Sequence, residues 1–368
     1  MARSATRSRS AEATAAPARA IVRDFSRASG TPYAVEFDVR TVYDFVFSLC
    51  EEAGSTDDLP EADRTWLAEA RRSLPAALRA ELDEHHGADI CVVAAGLAVG
   101  HPELVDAASF VAFLRTVGRR EFVRSILGEY HRDPKMGPLV DRAIDGDPAA
   151  IERIRLDLDE HKLPLADRLL GNTDELIRST VAILEAWHER FAPIEERVRS
   201  MIRRDADARI ADRATLEPID LIEKTTGGIR QLPEPGVRRV VLAPSYFARP
   251  YNYHLTADDW KFFGYPVADS ALEGSDPLAP PAAVVRLHRA LGDETRLRIL
   301  RLLANRDHYL TEIAGALELS KPTIKHHLAL LRAAGLVTLT EEGGLTYYSL
   351  RRGTIEATGG GLKDYLRA

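Results

Sequence analysis

Cysteine is nearly missing from this chain. Cys50 and Cys91 are the only two in 368 residues, which argues against a disulfide scaffold or a clustered thiolate site and fits a reducing, cytoplasmic setting. Long apolar runs are missing too: none approaches the ~20 residues that span a bilayer, so no membrane partner is expected. The usual catalytic signatures are equally scarce. Gly227-Gly228 has no Lys-Ser/Thr pair downstream, which excludes a phosphate loop. Ser245 follows a strand-like run but lacks the glycines of a nucleophile elbow. His85 and His86, beside Glu84 and Asp89, are adjacent and therefore point in different directions, whereas a helical metal site wants ligands one turn apart. Glu185 and His188 read as a solvated pair. No acid–base pair stands out, so neither catalysis, cofactor nor metal is expected.

What is present is a division of charge. The chain carries a formal −7, but residues 283–368 hold 13 Lys+Arg against 9 Asp+Glu, and residues 1–282 hold 36 against 47. A basic C-terminal segment joined to an acidic body suits a module that approaches a polyanion while the rest faces away. An apolar fraction of 45% supports packed cores, and the length allows two or three domains.

Residues 310–350, LTEIAGALELSKPTIKHHLALLRAAGLVTLTEEGGLTYYSL, read as helix, tight turn, helix and β-hairpin: a winged helix-turn-helix, which lays its second helix in the DNA major groove. Thr311 is expected to cap the first helix, with Ile313, Ala314 and Leu317 on its apolar face. Glu318, Leu319 and Ser320 form the turn, Leu319 pinning the corner. Ser320 caps the second helix, Pro322 sits in its first turn, and Gly335 stops it after about Ala334. Ile324, Leu328 and Leu331 share the buried face. Ser320, Lys321, Thr323, Lys325 and His326 are the expected DNA-binding residues, since Lys, Thr and His reach phosphates or base edges. His327 projects nearer the apolar face and reads equally well as a packing histidine. At the wing tip Glu341 and Glu342 precede Gly343 and Gly344; these carboxylates are expected to repel phosphate and add little affinity.

ALGDETRLRILRLL (290–303), the helix pair and GGLTYYSL (343–350) together resemble ArsR-type (arsenical-repressor-like) winged-helix transcriptional regulators over residues 284–352. The resemblance implies a homodimer on an inverted repeat of double-stranded DNA, usually a repressor released by a ligand. Two family features are missing. The first reading-unit helix, DHYLTEIAGAL, has no cysteine for a soft metal. The tail GTIEATGGGLKDYLRA (353–368) has no histidine, and Gly359, Gly360 and Gly361 oppose a long helix. Dimerisation is therefore expected to rest more on the helix at about Ala282–Leu291 or on the N-terminal domain.

Upstream, residues 1–20 are Ala, Ser and Arg with one acid. They read as a disordered tail, with a transit peptide or a DNA-touching basic arm as alternatives. YAVEFDV (33–39) alternates like a strand. Helices are expected at Thr41–Ala53 (buried face Val42, Phe45, Val46, Leu49), 61–73, 75–86, 88–99, 106–117, 118–131 and from Pro148 to about Leu158. The longest is capped by Asn172 or Thr173. Its seam of Leu184, Trp187, Phe191, Ile194, Val198 and Met201 is either intramolecular core or a dimer coiled coil, with Pro193 kinking or restarting it. VRRVVLAPS is a strand. From Tyr246 to Tyr265 come 8 of the 25 aromatics. Tyr246, Phe247, Arg249, Tyr251, Tyr253, Trp260 and Phe263 either line a ligand pocket or form the core of a β element packed on helices. Leu242, Pro244, Ser245, Phe247, Pro250, Tyr265 and Pro266 also resemble a pattern in regulators of this family that carry a long helical N-terminal region.

The expected fold is mainly α with small β elements: a disordered tail (1–20), a helical N-terminal domain ending in an aromatic-rich β element (21–268), a linker (269–281), an α+β winged helix-turn-helix (282–352) and a C-terminal tail (353–368). The expected function is sequence-specific DNA binding, governed by a small-molecule or protein effector at the N-terminal domain. The alternative is an enzyme or protein-docking domain fused to an autoregulatory DNA-binding module.

Overall fold

A computed structural model describes residues 33–367, apart from 51–52, 55–57, 85–86, 159–162, 258, 273–279 and 343–344. The N-terminal tail, the His85-His86 pair and the wing-tip glycines lie outside the described residues. Thr31–Ala368 form one compact unit.

Most of the described chain is helical, with two four-stranded sheets. The strands are β1 (Ala34–Phe37), β2 (Ile229–Gln231), β3 (Arg239–Ser245), β4 (Tyr253–Ala257), β5 (Trp260–Pro266), β6 (His308–Tyr309), β7 (Val337–Glu342) and β8 (Leu345–Leu350). The body sheet runs β1-β3-β5-β4, parallel except for β4, which forms an antiparallel hairpin with β5. The second sheet runs β2-β7-β8-β6. Its hairpin β7–β8 is the wing, and β2, from the body, pairs with β7 in parallel with Gln231 opposite Glu341.

The body core gathers around the helix Thr173–Ala208. Leu184, Trp187, Phe191, Val198 and Met201 are all buried against the body, so the seam is intramolecular core and not a free coiled-coil face. The helix runs through Pro193 without restarting. Proline removes only one intrahelical hydrogen bond, and burial of the flanking apolar side chains outweighs that loss. Neither expected side-chain cap forms here: the Asn172 amide donates to Glu175, and the Thr173 hydroxyl donates to Leu169 O at 2.5 Å.

The aromatic run divides between two faces of the body sheet. Successive strand residues point oppositely, so Trp260 and Phe262 pack into the core around Thr173–Ala208, while Phe263 and Tyr265 pack on the other side with Val240 and Leu242. Tyr246 and Phe247 are fully buried, the Tyr246 hydroxyl donating to Asp63. Tyr253 stacks on Phe47 with centroids 4.3 Å apart. Of the expected pocket residues, Phe263 therefore lies on the opposite face of the sheet, while Tyr246, Phe247, Tyr253 and Trp260 pack into the core around Thr173–Ala208. The expected helix over 118–131 is likewise two, Arg119–Ile126 and Gly128–Arg132. A Cβ at Gly128 would lie 2.6 Å from the Ala257 Cβ, so β4 presses on the chain where the two meet.

The tail also differs from expectation. Arg352–Glu356 and Gly360–Tyr365 are short helices, and a Cβ at Gly361 would come within 3.0 Å of Val284 on the helix Ala282–Leu291. Gly361, one of the glycines that disfavour a long helix, permits this close approach.

Candidate nucleic-acid interface

Local chemistry shapes the reading unit. The first helix of the pair is Leu310–Leu317. It begins one residue before the expected Thr311 cap, because the Glu312 carboxylate reaches back to accept from Tyr309 N at 2.9 Å. Glu318 adopts a left-handed φ of 57° at the corner, and Leu319 N donates to Ala314 O at 3.1 Å. The second helix is Lys321–Ala333. Ser320 Oγ accepts from Thr323 N at 3.3 Å, satisfying one orphan donor of the first turn. At the other end Gly335, with φ 71°, donates to Arg332 O, and Leu336 N donates to Leu331 O at 2.9 Å, a Schellman closure. Ile324, Leu328 and Leu331 are buried in the head's own core.

Ser320, Lys321, Thr323, Lys325 and His326 are all exposed, on the cap and the first two turns of this helix. His327 is half-buried, its Nδ1 3.8 Å from Asp293, and burial lowers its pKa. His326 is engaged as well: Tyr251 Oη, from the loop before β4, lies 3.0 Å from its Nδ1. Of the expected pocket residues, Tyr251 therefore faces the reading helix.

The head is docked on the body by more than this contact. Leu339 N donates to Gly228 O at 2.8 Å, extending the β2–β7 pairing. Gly228 has φ 130°, and a Cβ there would lie 3.2 Å from both Arg332 Cγ and Val337 O, so only glycine allows this approach. The Gly227-Gly228 pair, unsuited to a phosphate loop, is where body and head backbones meet. Lys261 Nζ sits 2.7 Å from Glu234 and 2.9 Å from Glu341. Burial lowers its pKa, but the two carboxylates outweigh burial and leave it raised. This corrects the expectation for Glu341, which faces an ammonium on β5 and is spent on docking, not on repelling phosphate. Arg351 pairs with Glu223. Arg286, on the helix Ala282–Leu291, bridges Asp58 at 2.7 Å and Asp269 at 3.0 Å, and Asp269 also holds Arg249 at 2.8 Å. Asp269, expected in the linker, is thus anchored. None of these docking residues could be picked out from local periodicity, because their partners are distant in sequence.

Beneath the body sheet, Asp44 is completely buried. Its Oδ1 accepts from Ser245 Oγ at 2.7 Å and Phe247 N at 2.9 Å, and Ser245 Oγ accepts in turn from Ala248 N at 3.0 Å. Burial pushes its pKa up to about 7 against these hydrogen bonds. The Pro244-Ser245-Phe247 pattern is therefore a structural turn clamped by a carboxylate. No group of three or more His, Cys, Asp and Glu among the described residues is arranged to hold a metal, and no helix among them is long and apolar enough to cross a membrane.

Comparison with known proteins agrees with the geometry of the head. A family model described as "Bacterial regulatory protein, arsR family" matches residues 293–338. An uncharacterized HTH-type transcriptional regulator of Methanocaldococcus jannaschii is 43% identical over 63 residues, 17% of this chain and 71% of that protein. The HTH-type transcriptional regulator CmtR of Mycobacterium tuberculosis is 42% identical over 69 residues, 19% of this chain. This match spans only 58% of that relative's length. Among solved structures, HlyU from Vibrio cholerae aligns with 23% of this chain and 90% of its own, at 34% identity and a TM-score of 0.20.

Proposed function

The chain belongs to the arsR family of bacterial regulatory proteins, and from that premise we propose that it is a sequence-specific DNA-binding transcriptional regulator, a repressor whose N-terminal body receives a signal. The observation that carries this reading is that Lys321, Thr323, Lys325 and His326 are exposed on a helix whose buried stripe, Ile324, Leu328 and Leu331, is locked into the head's core. Such a helix can enter a major groove without unfolding anything behind it. The regulator is a homodimer on an inverted repeat, one reading helix per half-site. Ile355, Leu362 and Leu366 on the tail are exposed; together with the helix Ala282–Leu291 they supply an apolar face for a second copy. The test is footprinting on genomic fragments at low salt. Alanine at Lys325 or His326 should cost about 1–3 kcal/mol and relax specificity at one position if the side chain reads a base. Footprints identical to the parent in both variants would remove these residues from the groove.

A further inference from the structure

A cleft of about 260 Å³ opens where the body meets the C-terminal end of the reading helix. Five of its lining side chains are Lys or Arg and two are Asp. Four of the cations already hold carboxylates: Arg209 on Asp205, Lys224 on Asp212, Arg249 on Asp269, and Arg286 on Asp58 and Asp269. The fifth, Arg332, does not. It is buried in the last turn of the reading helix, donates to Thr226 O at 2.7 Å and has no carboxylate partner among the described residues. Three further polar atoms in the lining, Thr225 Oγ1, Arg249 Nε and Asn252 Oδ1, are buried with no hydrogen-bond partner among the described residues, and Thr225 and Arg249 are each 3% exposed. Thr225 Oγ1 and Arg249 Nε are donors, and an unsatisfied buried donor costs about 1–3 kcal/mol, so two of them on residues lining one cationic cleft need a reason.

We propose that this cleft is the signal site: it takes a small organic or inorganic oxyanion, a metabolite carrying a carboxylate or phosphate group, held between Thr225 and Arg249 of the body and Arg332 of the reading helix. The volume lies just below the range of roughly 300–1,000 Å³ usual for small-ligand sites, which suits a compact metabolite rather than a nucleotide. Burial without a counter-charge holds the Arg332 pKa down to about 10, and an anion beside it relieves that penalty. The inference deepens the regulator reading and rests on it only for its consequence. Arg249 lies two residues before Tyr251, the residue bonded to His326, so an anion joining Arg249 to Arg332 acts on the loop and the reading helix together. Affinities for anion and DNA are then linked.

The experiment is calorimetry and thermal shift on the full chain, without DNA, using inorganic phosphate in one arm and citrate in the other. At least one should bind with a dissociation constant of about 1 mM or tighter. Thr225→Val, which keeps the shape and removes the hydroxyl, should weaken binding about tenfold. Asn252→Asp, which adds a negative charge at constant size, should abolish it. Both variants should retain the parental circular dichroism, so that lost binding is not lost folding. The proposal is overturned if neither anion binds, or if one binds and both variants bind it like the parent. A gel shift run in parallel keeps the two readings apart: DNA binding without anion binding ends this inference alone, and anion binding without DNA binding ends the regulator reading alone.

Discussion

Asp44 shows how one buried carboxyl can tie stability to pH. Its pKa is about 7 in the folded chain against an ordinary 3.8. Between those values the folded state keeps a proton that the unfolded state has released, so stability falls as pH rises, by up to about 1.4 kcal/mol per unit from this group. The contribution is complete below pH ~4 and gone above pH ~7. Asn at this position accepts the same hydrogen bonds and carries no charge. Asp44→Asn should therefore flatten the slope and gain on the parent between pH 5 and 8, as followed by urea unfolding at both ends. Asp44→Ala, which leaves Ser245 and Phe247 N without an acceptor, should cost about 1–3 kcal/mol at pH 5. A parallel pH dependence in parent and Asp44→Asn would show that another group dominates the window. The sequence makes Val42, Phe45, Val46 and Leu49 recognisable as a buried face, but not Asp44. Its burial depends on a turn about 200 residues away, and periodicity alone reads an acid on a helix as solvated.

At the scale of elements, the reading helix is held at one side chain by a loop that has its own role in the body. Losing an exposed hydrogen bond is worth about 0.5–1.5 kcal/mol, so Tyr251→Phe should release His326 and raise DNA affinity by up to about tenfold, measured by fluorescence anisotropy on a footprinted fragment. No change would mean that His326 reaches DNA with Tyr251 still bonded, or does not reach it at all. Combining Tyr251→Phe with His326→Ala decides between these, since only in the first case does His326→Ala lower affinity. The helix itself was legible in the sequence because its signals are local: Ser320 at the cap, Pro322 in the first turn, apolar residues at spacings of four and three, and Gly335 after the end. β2 was not. Ile229–Gln231 is three residues long, and its partner strand lies more than 100 residues further on, too short for a period and too distant for a turn signal. Glu341 was misplaced for the same reason: a hairpin read alone has a solvated tip, and only the arrival of β5 turns its carboxylate towards Lys261. The aromatic run was legible as a unit, but its division was not: an alternating strand sends Trp260 and Phe262 to one face and Phe263 and Tyr265 to the other.

For the whole molecule, the proposed homodimer would use the charge division and the exposed apolar tail together, setting two basic heads side by side on a duplex with the acidic bodies outward. Leu366 is 73% exposed, Leu362 36% and Ile355 39%, on a tail that packs against the helix before the reading unit. Covering such side chains stabilises a pair by about 25 cal/mol for each Å² of apolar surface removed from water, and glutamates there would set like charges against each other. Leu362→Glu with Leu366→Glu should therefore give a monomer by sedimentation, while the head core, which lies elsewhere, keeps its thermal unfolding. Joining two half-site contacts raises affinity by roughly 10²–10⁴ over one, so the monomer should lose at least about 100-fold on an inverted repeat and little on a single half-site. Its dependence on salt should change as well. Each phosphate neutralised adds close to one unit to the slope of log K against log salt, and one head neutralises half as many, so the slope should fall to about half. A double variant that stays dimeric places the interface elsewhere, on the body. A monomer that binds the repeat with parental affinity and slope would mean that one head suffices, and the two-headed arrangement would have to be abandoned.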